Sequence, residues 1–337
     1  MIARLQTRGH RILIGARKKE FTLDLLRAYG LDYCPLTTKG RGLLGLLGEL
    51  MVQQIKIAGL LTRQPIDIML QLGGIFNAPI GWLLRIPTIA ISDTENDRWG
   101  NRLSFSVSKH VLLPSCFDHA TGGTWRNQIA YPGYHELAYL APRYFPDRID
   151  PQSKFLVRFV GWGAGHDIGE HCLSGAQKIA LVDILSRFGT VHVSSEMPLP
   201  PQIEAYRCRM HPAEIHGFMK TCKLVVGESA TMASEAACLG IPAVFISDTG
   251  RGYTTEQDRQ YGLIRHYRLD QWDDARACVE AWAGQDLHTQ WQSKRRRMLQ
   301  DKIDVTAWLV DLVELYPASI QAARRGEFER YRISCAE

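Results

Sequence analysis

Residues 225–246, VVGESATMASEAACLGIPAVFI, decide the fold, because they read as a strand, a tight turn, a helix and a second strand. The apolar β-branched run that ends at Val226 is typical of a buried parallel strand, and so is the run 243–246. Gly227 permits a sharp turn that a side chain would hinder. Gly240 and Pro242 then end the helix. The pattern predicts an α/β protein with parallel strands.

The turn between the first strand and the helix predicts an anion site. Ser229 or Thr231 can cap the helix, whose first N–H groups and positive dipole end lie at the carboxyl edge of the sheet. Phosphate and diphosphate are the usual ligands at such a position. A plain strand-to-helix turn without a ligand is the alternative.

The same stretch resembles the donor-nucleotide loop of GT-B glycosyltransferases, where a Gly/Ser/Thr turn holds the diphosphate of a sugar nucleotide. In that pattern a glutamate further along the helix binds the ribose hydroxyls, and Glu235 stands at its position. The enzyme that makes lipid II is similar here, as are the non-hydrolysing UDP-N-acetylglucosamine 2-epimerases. The resemblance implies a donor site made of one turn and the helix after it: Gly227, Glu228, Ser229, Ala230, Thr231 and Glu235.

Most of the chain is similar to an uncharacterised prokaryotic family, a domain of unknown function in the same superfamily. The shared pieces are SDTE at 92–95, YPGYHEL at 131–137, RFV at 158–160, HDIGE at 166–170 and GESATMASEA at 227–236. The resemblance implies a GT-B-like α/β fold of two Rossmann-type domains that face a cleft. The predicted domains are 1–147 for the acceptor, 148–304 for the nucleotide sugar, and helices over 305–337 that cross back to the first domain.

Composition limits the function classes. A chain of 337 residues, 45% hydrophobic and 22% charged, is long enough for two globular domains. Its net charge of +5 suits anionic substrates, and no aromatic-and-basic stripe indicates nucleic acid. The eight cysteines form no CxxC pair or zinc spacing, and no apolar leader opens the sequence. We expect a cytoplasmic protein with no nucleic-acid partner, no metal and no cofactor, the nucleoside diphosphate sugar being a substrate.

The start of the sequence departs from the resembled fold. Residues 1–9 read as the end of a helix and residues 11–15 as a strand, whereas chains of this fold open with a strand and a Gly/His-bearing loop. The first strand of the first domain is therefore expected to be missing. A start codon assigned too late, or a truncated gene, is the favoured explanation, and a rebuilt first domain is the alternative. The loop that often carries the base of inverting relatives would be missing with it.

Candidate acceptor and catalytic residues follow two predicted strands of the first domain. Gly73 and Gly74 end the strand at 67–72, where an acceptor could bind. Asp93 and Glu95 end the strand at 87–91, where either carboxylate could act as a general base toward an acceptor hydroxyl if burial raised its pKa. A helix-start turn at the glycines, and a helix cap with a first-turn acid at SDTE, are the structural alternatives.

Three further sites have both a ligand-binding and a structural interpretation. His135 precedes the crossing between the domains and could line the cleft, with a structural turn as the alternative. The glycine-rich segment 161–171 should lie beside the Ser229 turn, where His166 can donate to a diphosphate oxygen. The epimerases carry a catalytic His-Arg-x-Glu-Asn segment at that place, and HDIGE lacks the arginine, which weakens an epimerase interpretation. His211 and His216, ahead of the central motif, lie in a region that in GT-B chains often contacts the base of the nucleotide, but helix capping and packing are the favoured interpretation.

Residues 42–62 form an apolar stretch about as long as a membrane span, but Glu49, Gln53, Gln54 and Lys56 interrupt it. An amphipathic helix packed on the first domain is the prediction. The alternative is a face in peripheral contact with a membrane, such as the inner membrane of a bacterium, that receives a lipid-linked acceptor.

The sequence therefore predicts a metal-independent glycosyltransferase that uses a nucleoside diphosphate sugar, UDP-linked, in surface polysaccharide or glycoconjugate synthesis. The acceptor would be an unidentified sugar or lipid-linked sugar. Arg251, in the loop after the second strand, would neutralise the leaving diphosphate. The alternatives are a UDP-N-acetylglucosamine 2-epimerase-like enzyme and a non-catalytic nucleotide-sugar-binding protein.

Overall fold

A computed structural model describes residues 1–18, 22–38, 40, 42–73, 75, 77–145, 153–161 and 172–334. It divides the chain into two compact units. Unit 1 is Met1–Pro132 with Thr306–Arg330, and unit 2 is Gly133–Val305 with the residues from Tyr331 onward.

The elements alternate between helix and strand along most of the chain. Up to Pro132 they are α1 (Ile2–Thr7), β1 (Gly15–Lys18), α2 (Thr22–Ala28), β2 (Cys34–Thr38), α3 (Gly42–Leu61), β3 (Met69–Leu72), α4 (Ala78–Leu83), β4 (Thr88–Ile91), α5 (Arg98–Val107), β5 (His110–Pro114), α6 (His119–Gly122) and β6 (Gln128–Tyr131). Next are α7 (Leu137–Leu140), β7 (Lys154–Phe159), α8 (Gly175–Ser186), β8 (Thr190–Ser195), α9 (Ile215–Met219), β9 (Leu224–Gly227), α10 (Ala230–Leu239), β10 (Ala243–Ile246), α11 (Gly252–Arg259), β11 (Ile264–Tyr267), α12 (Trp272–Gly284) and α13 (His288–Gln300). The last two helices are α14 (Val305–Glu314) and α15 (Ala318–Arg324).

Unit 1 has two parallel sheets. β3, β4, β5 and β6 pair in that order, with Ile89, Val111 and Leu112 completely buried. β1 and β2 pair only with each other among the described strands. The strand predicted over 11–15 was placed too early, because it starts at Gly15, opposite Cys34 of β2. The apolar residues of this segment indicate a strand, whereas the position of its partner strand decides where the pairing begins.

The long apolar stretch of unit 1 forms one helix, α3, as predicted. Ile57 packs into a cluster with Leu36, Met69 and Ile80, whereas Ile55 stays 66% exposed. No helix in the described part of the chain is long and apolar enough to cross a membrane.

Unit 2 is built on one parallel five-stranded sheet in the order β11-β10-β9-β7-β8. Val226 of the central strand lies opposite Val244 on one side and Val157 on the other, and all three are buried. The predicted strand–turn–helix–strand at 225–246 therefore occupies the middle of the sheet. The predicted α/β class with parallel sheets is confirmed in both units.

Candidate functional site

The start of α10 presents unused hydrogen-bond donors at the carboxyl end of β9. Ser229 is the N-cap: its Oγ accepts from the backbone N–H of Met232 at 3.3 Å, and its carbonyl accepts from Ala233 at 3.0 Å. No described residue accepts from the backbone N–H groups of Ala230 or Thr231. Because a helix begins with N–H groups that have no partner inside it and with the positive end of its dipole, these two donors are a candidate anion site.

Gly227 shapes the turn before the helix. Its φ is +151°, and a Cβ on it would overlap the carbonyl oxygen of Arg158 on β7. That carbonyl accepts from the backbone N–H of Glu228 at 2.9 Å. A glycine is therefore required here for steric reasons, since the turn lies directly against the neighbouring strand.

The Glu228 side chain turns into the protein. Its carboxylate accepts from the backbone N–H of Leu173 at 2.6 Å and of Val160 at 3.2 Å, and the Nζ of Lys178 lies 4.0 Å away. Burial raises the pKa of this carboxyl group, and the two N–H donors and Lys178 oppose that shift. The structure thus gives the Glu228 side chain a structural role, whereas nucleotide binding by this residue stays a prediction.

Glu235 lies deeper in α10 and is nearly buried. Its Oε1 accepts from the hydroxyl of Tyr139 at 2.9 Å and lies 2.8 Å from Nε2 of His216. Burial and the neighbouring Glu235 raise the pKa of the Tyr139 hydroxyl, which keeps it protonated as a donor. Oε2 receives no hydrogen bond from the described residues. One oxygen of Glu235 is therefore held by protein groups and the other is left to accept from a ligand.

The Arg251 guanidinium is directed at its own loop. Its Nη1 donates to the carbonyl of Gly250 at 2.9 Å, and the Arg251 backbone N–H donates to Oγ1 of Thr254 at 3.0 Å. A contact with a bound diphosphate could therefore use the Nε or Nη2 donors, while Nη1 keeps its bond to the Gly250 carbonyl.

The candidate residues of unit 1 lie at the carboxyl edge of the β3–β6 sheet. Gly73 has φ +58° and donates its N–H to the Ile91 carbonyl at 2.8 Å. Asp93 is half-buried and accepts from the Thr94 hydroxyl at 3.2 Å. Glu95 is buried, and its Oε1 accepts from the backbone N–H of Asp118 at 3.1 Å. Gly74 lies outside the described residues.

Two further candidates belong to unit 2. His135 is half-buried just before α7, and its carbonyl accepts from the N–H of Ala138 at 3.0 Å. β7 and β9 are parallel neighbours, as the prediction for segment 161–171 assumed, but His166 and the rest of 162–171 lie outside the described residues.

The pairing of Tyr139 and His216 with Glu235 was missed by sequence reasoning. His216 is 19 positions from Glu235 and Tyr139 is 96 positions from it, so no local pattern connects them. The one available signal was a histidine directly ahead of the central motif, which was interpreted as a capping or packing residue.

Two units with parallel sheets, in one of which a strand–turn–helix–strand occupies the middle of the sheet, indicate the GT-B class of fold. Three solved structures share it. They are the Staphylococcus aureus MnaA–UDP co-structure (10% identity, 92% of this chain and 97% of that chain, TM-score 0.61), the glycotransferase of kitacinnamycin (15%, 93% and 93%, 0.56) and the UDP-GlcNAc 2-epimerase of Neisseria meningitidis bound to UDP-GlcNAc (14%, 88% and 93%, 0.51).

These likenesses confirm the predicted GT-B-like fold class, which the solved structures of a glycotransferase and of 2-epimerases share. At such identities they show the fold alone. No protein-family model matches the sequence, and no curated protein matches it.

Proposed function

We propose that the protein is a glycosyltransferase whose donor is a UDP-linked sugar bound to unit 2. The observation that carries this proposal is the α10 segment itself. Two free N–H donors open the helix, and a carboxylate with one free oxygen follows five residues later, about 7 Å along the axis.

The two N–H donors and the carboxylate match the diphosphate and the pentose of a nucleoside diphosphate, respectively. The diphosphate accepts from the Ala230 and Thr231 N–H groups, where the helix dipole favours negative charge. The pentose hydroxyls donate to Oε2 of Glu235, because Tyr139 and His216 hold Oε1 and orient the carboxylate. The co-structures of MnaA with UDP and of the N. meningitidis epimerase with UDP-GlcNAc support a uridine nucleotide as the ligand.

Transfer would proceed without a metal. An acceptor hydroxyl, bound on unit 1 near Gly73 and Asp93, attacks the anomeric carbon as the bond from that carbon to the diphosphate breaks. Asp93 is the proposed base for the hydroxyl proton. The α10 N–H groups and Arg251 stabilise the charge that develops on the leaving diphosphate. We place this reaction in the synthesis of a surface polysaccharide or glycoconjugate.

Titration calorimetry with UDP tests the donor site. Wild-type protein should bind UDP, and Glu235→Gln should weaken binding about tenfold, because the amide loses a charge-assisted hydrogen bond worth about 1.5 kcal/mol. Glu204→Gln, at an exposed glutamate of unit 2, is the control and should bind like wild type. Absence of UDP binding by the wild-type protein, or unchanged binding by Glu235→Gln, would contradict the proposal.

A 2-epimerase is the second candidate, favoured by the N. meningitidis structure with its bound UDP-GlcNAc. Epimerisation needs no acceptor. Incubation with UDP-N-acetylglucosamine alone, followed by proton NMR of the sugar, should leave a transferase substrate unchanged apart from slow hydrolysis. Appearance of the 2-epimer would assign the epimerase function instead. Binding of UDP without turnover of any donor would indicate a non-catalytic binding protein.

A further inference from the structure

A groove lies between α5 and α6 of unit 1. It has a volume of about 600 Å³ and opens to solvent. Arg98, Trp99 and Arg102 of α5 line one side, and residues 120–125 line the other. This volume falls in the range of small-molecule and oligosaccharide sites.

The charge of the groove is positive. Arg98 and Arg102 stand one helical turn apart, so both guanidinium groups extend from the same face of α5. No carboxylate in the described part of the chain lies within ion-pair distance of either one. The two nearby carboxylates cap helices and form no ion pair with these arginines. Asp97 accepts from the N–H of Gly100 at 3.0 Å, and Asp118 accepts from the N–H of Ala120 at 3.0 Å.

Two indole rings line the same groove. Trp99 is 77% exposed, which is exceptional for the largest apolar side chain. Trp125 packs edge-on against Phe105, with ring centroids 5.4 Å apart. The Nε1 of Trp125 is buried and has no hydrogen-bond partner among the described residues. An unpaired buried donor costs free energy that a ligand oxygen could recover after a small local shift.

Hydrogen bonds fix the starts of the two helices that line the groove. Glu95, on the loop after β4, accepts from the backbone N–H of Asp118 and so connects that loop to the start of α6. Asp97 and Asp118 then cap α5 and α6. α5, which carries the two arginines, and α6, which leads into Trp125, thus begin at fixed positions on the carboxyl edge of the sheet.

We propose that this groove binds an anionic glycan, the part of the acceptor that extends beyond the reacting hydroxyl near Asp93 in the proposed transfer reaction. The guanidinium groups of Arg98 and Arg102 bind the carboxylate, phosphate or sulfate groups of the glycan. Trp99 packs against the apolar face of a sugar ring, and Trp125 donates to a sugar oxygen. The acceptor role rests on the proposed function, whereas glycan binding by the groove stands on the groove alone.

Calorimetry with two anionic tetrasaccharides, tetragalacturonate and a heparin-derived tetrasaccharide, tests the proposal at 150 mM salt. At least one should bind, and neutral maltotetraose should bind at least tenfold more weakly. Arg98→Ala, Arg102→Ala and Trp99→Ala should each weaken binding about tenfold or more. These side chains are exposed, so the variants should fold normally by circular dichroism. Arg276→Ala, an exposed arginine of unit 2, is the matched control and should bind like wild type.

Several outcomes would overturn the proposal. One is no binding of either anionic tetrasaccharide, and another is equal binding by wild type and the groove variants. Binding to phosphatidylglycerol vesicles that the variants abolish, without tetrasaccharide binding, would assign the groove to a membrane surface. Glu235→Gln should leave glycan binding unchanged. If the wild-type protein bound the glycan but not UDP, the proposed function would be refuted and the glycan site would still be supported.

Discussion

At the scale of single residues, Glu235 shows how two hydrogen-bond partners can hold one oxygen of a nearly buried carboxylate. Tyr139 and His216 both meet Oε1, so the side chain is oriented before a ligand arrives. Pre-orientation reduces the conformational entropy that binding must overcome. The same logic explains why a glutamate that is almost completely buried is compatible with a binding site.

His110 of β5 is predicted to make unit 1 sensitive to acid. It is buried, its Nδ1 has no hydrogen-bond partner among the described residues, and the hydroxyl of Tyr316 lies 3.4 Å from its Nε2. Burial, reinforced by Arg324 and Lys109, lowers the pKa of His110 to about 4. In the unfolded chain the pKa of a histidine is about 6.5, so the unfolded state binds the proton first as the pH falls.

Stability should therefore be complete above pH 6.5 and should fall as the pH drops from 6.5 toward 4. Between pH 7 and pH 5 the free energy of unfolding should decrease by about 2 kcal/mol from this residue. Urea unfolding at several pH values measures the slope, which His110→Gln should reduce. His119→Gln, at an exposed histidine of the same unit, should keep the wild-type slope. An unchanged slope in His110→Gln would refute the prediction.

At the scale of elements, Glu228 connects three parts of unit 2. It follows β9, and its carboxylate accepts from Val160 just after β7 and from Leu173 just before α8. The turn that opens α10 is thereby fixed to both ends of the glycine-rich segment. The Glu228 side chain therefore fixes the position of this turn.

Glu228→Ala is predicted to destabilise unit 2 by about 2 kcal/mol, because the buried N–H of Leu173 and the half-buried N–H of Val160 lose their acceptor. Chemical denaturation followed by circular dichroism gives the free energy of unfolding. Glu204→Ala, which breaks only an exposed pair with Arg207, should cost less than about 1 kcal/mol. Equal stability of the two variants would show that the Glu228 contacts contribute nothing.

At the scale of the whole molecule, unit 1 is discontinuous in sequence. Residues 306–330 join it after the chain has completed nearly all of unit 2. Trp308 of α14 is buried between Tyr131 and Phe328, with ring centroids 5.0 Å and 5.6 Å away. The core of unit 1 is therefore incomplete until the last tenth of the chain has been added.

Trp308→Ala should lower the stability of unit 1 by about 3–5 kcal/mol, the usual cost of removing a buried tryptophan from a core. Thermal unfolding monitored by near-UV circular dichroism would show an earlier transition. Trp82→Ala is the matched control, because that ring is 66% exposed and its loss should change stability little. A Trp308→Ala variant with the wild-type transition would contradict the packing described here.

Local patterns were sufficient for several elements. The strand at 243–246 was predicted with the bounds that the structure has, and the helix over 42–62 ends one residue earlier than predicted. Apolar β-branched runs, helix caps and stop signals such as Gly240 and Pro242 act within a few residues. Such signals can be read without knowing what lies across the sheet.

Side-chain direction at the site was beyond those patterns. The central motif places Glu228 and Glu235 on one turn and helix, but nothing nearby says that one carboxylate binds backbone N–H groups of two distant segments. The local sequence also gives no sign that Tyr139 and His216 contact the Glu235 carboxylate. The exposed Trp99 and the groove beside it likewise depend on how α5 and α6 pack.

The sequence by itself determined the α/β class, the alternation of strands and helices and the turn at Gly227, because each depends on the intrinsic preferences of neighbouring residues. Only the tertiary structure decided which strands pair, where the strand at Gly15 begins, and which partners engage Glu95, Glu228 and Glu235. Those outcomes depend on contacts between residues far apart in the chain, whose free energies are settled only when the sheets and helices have packed.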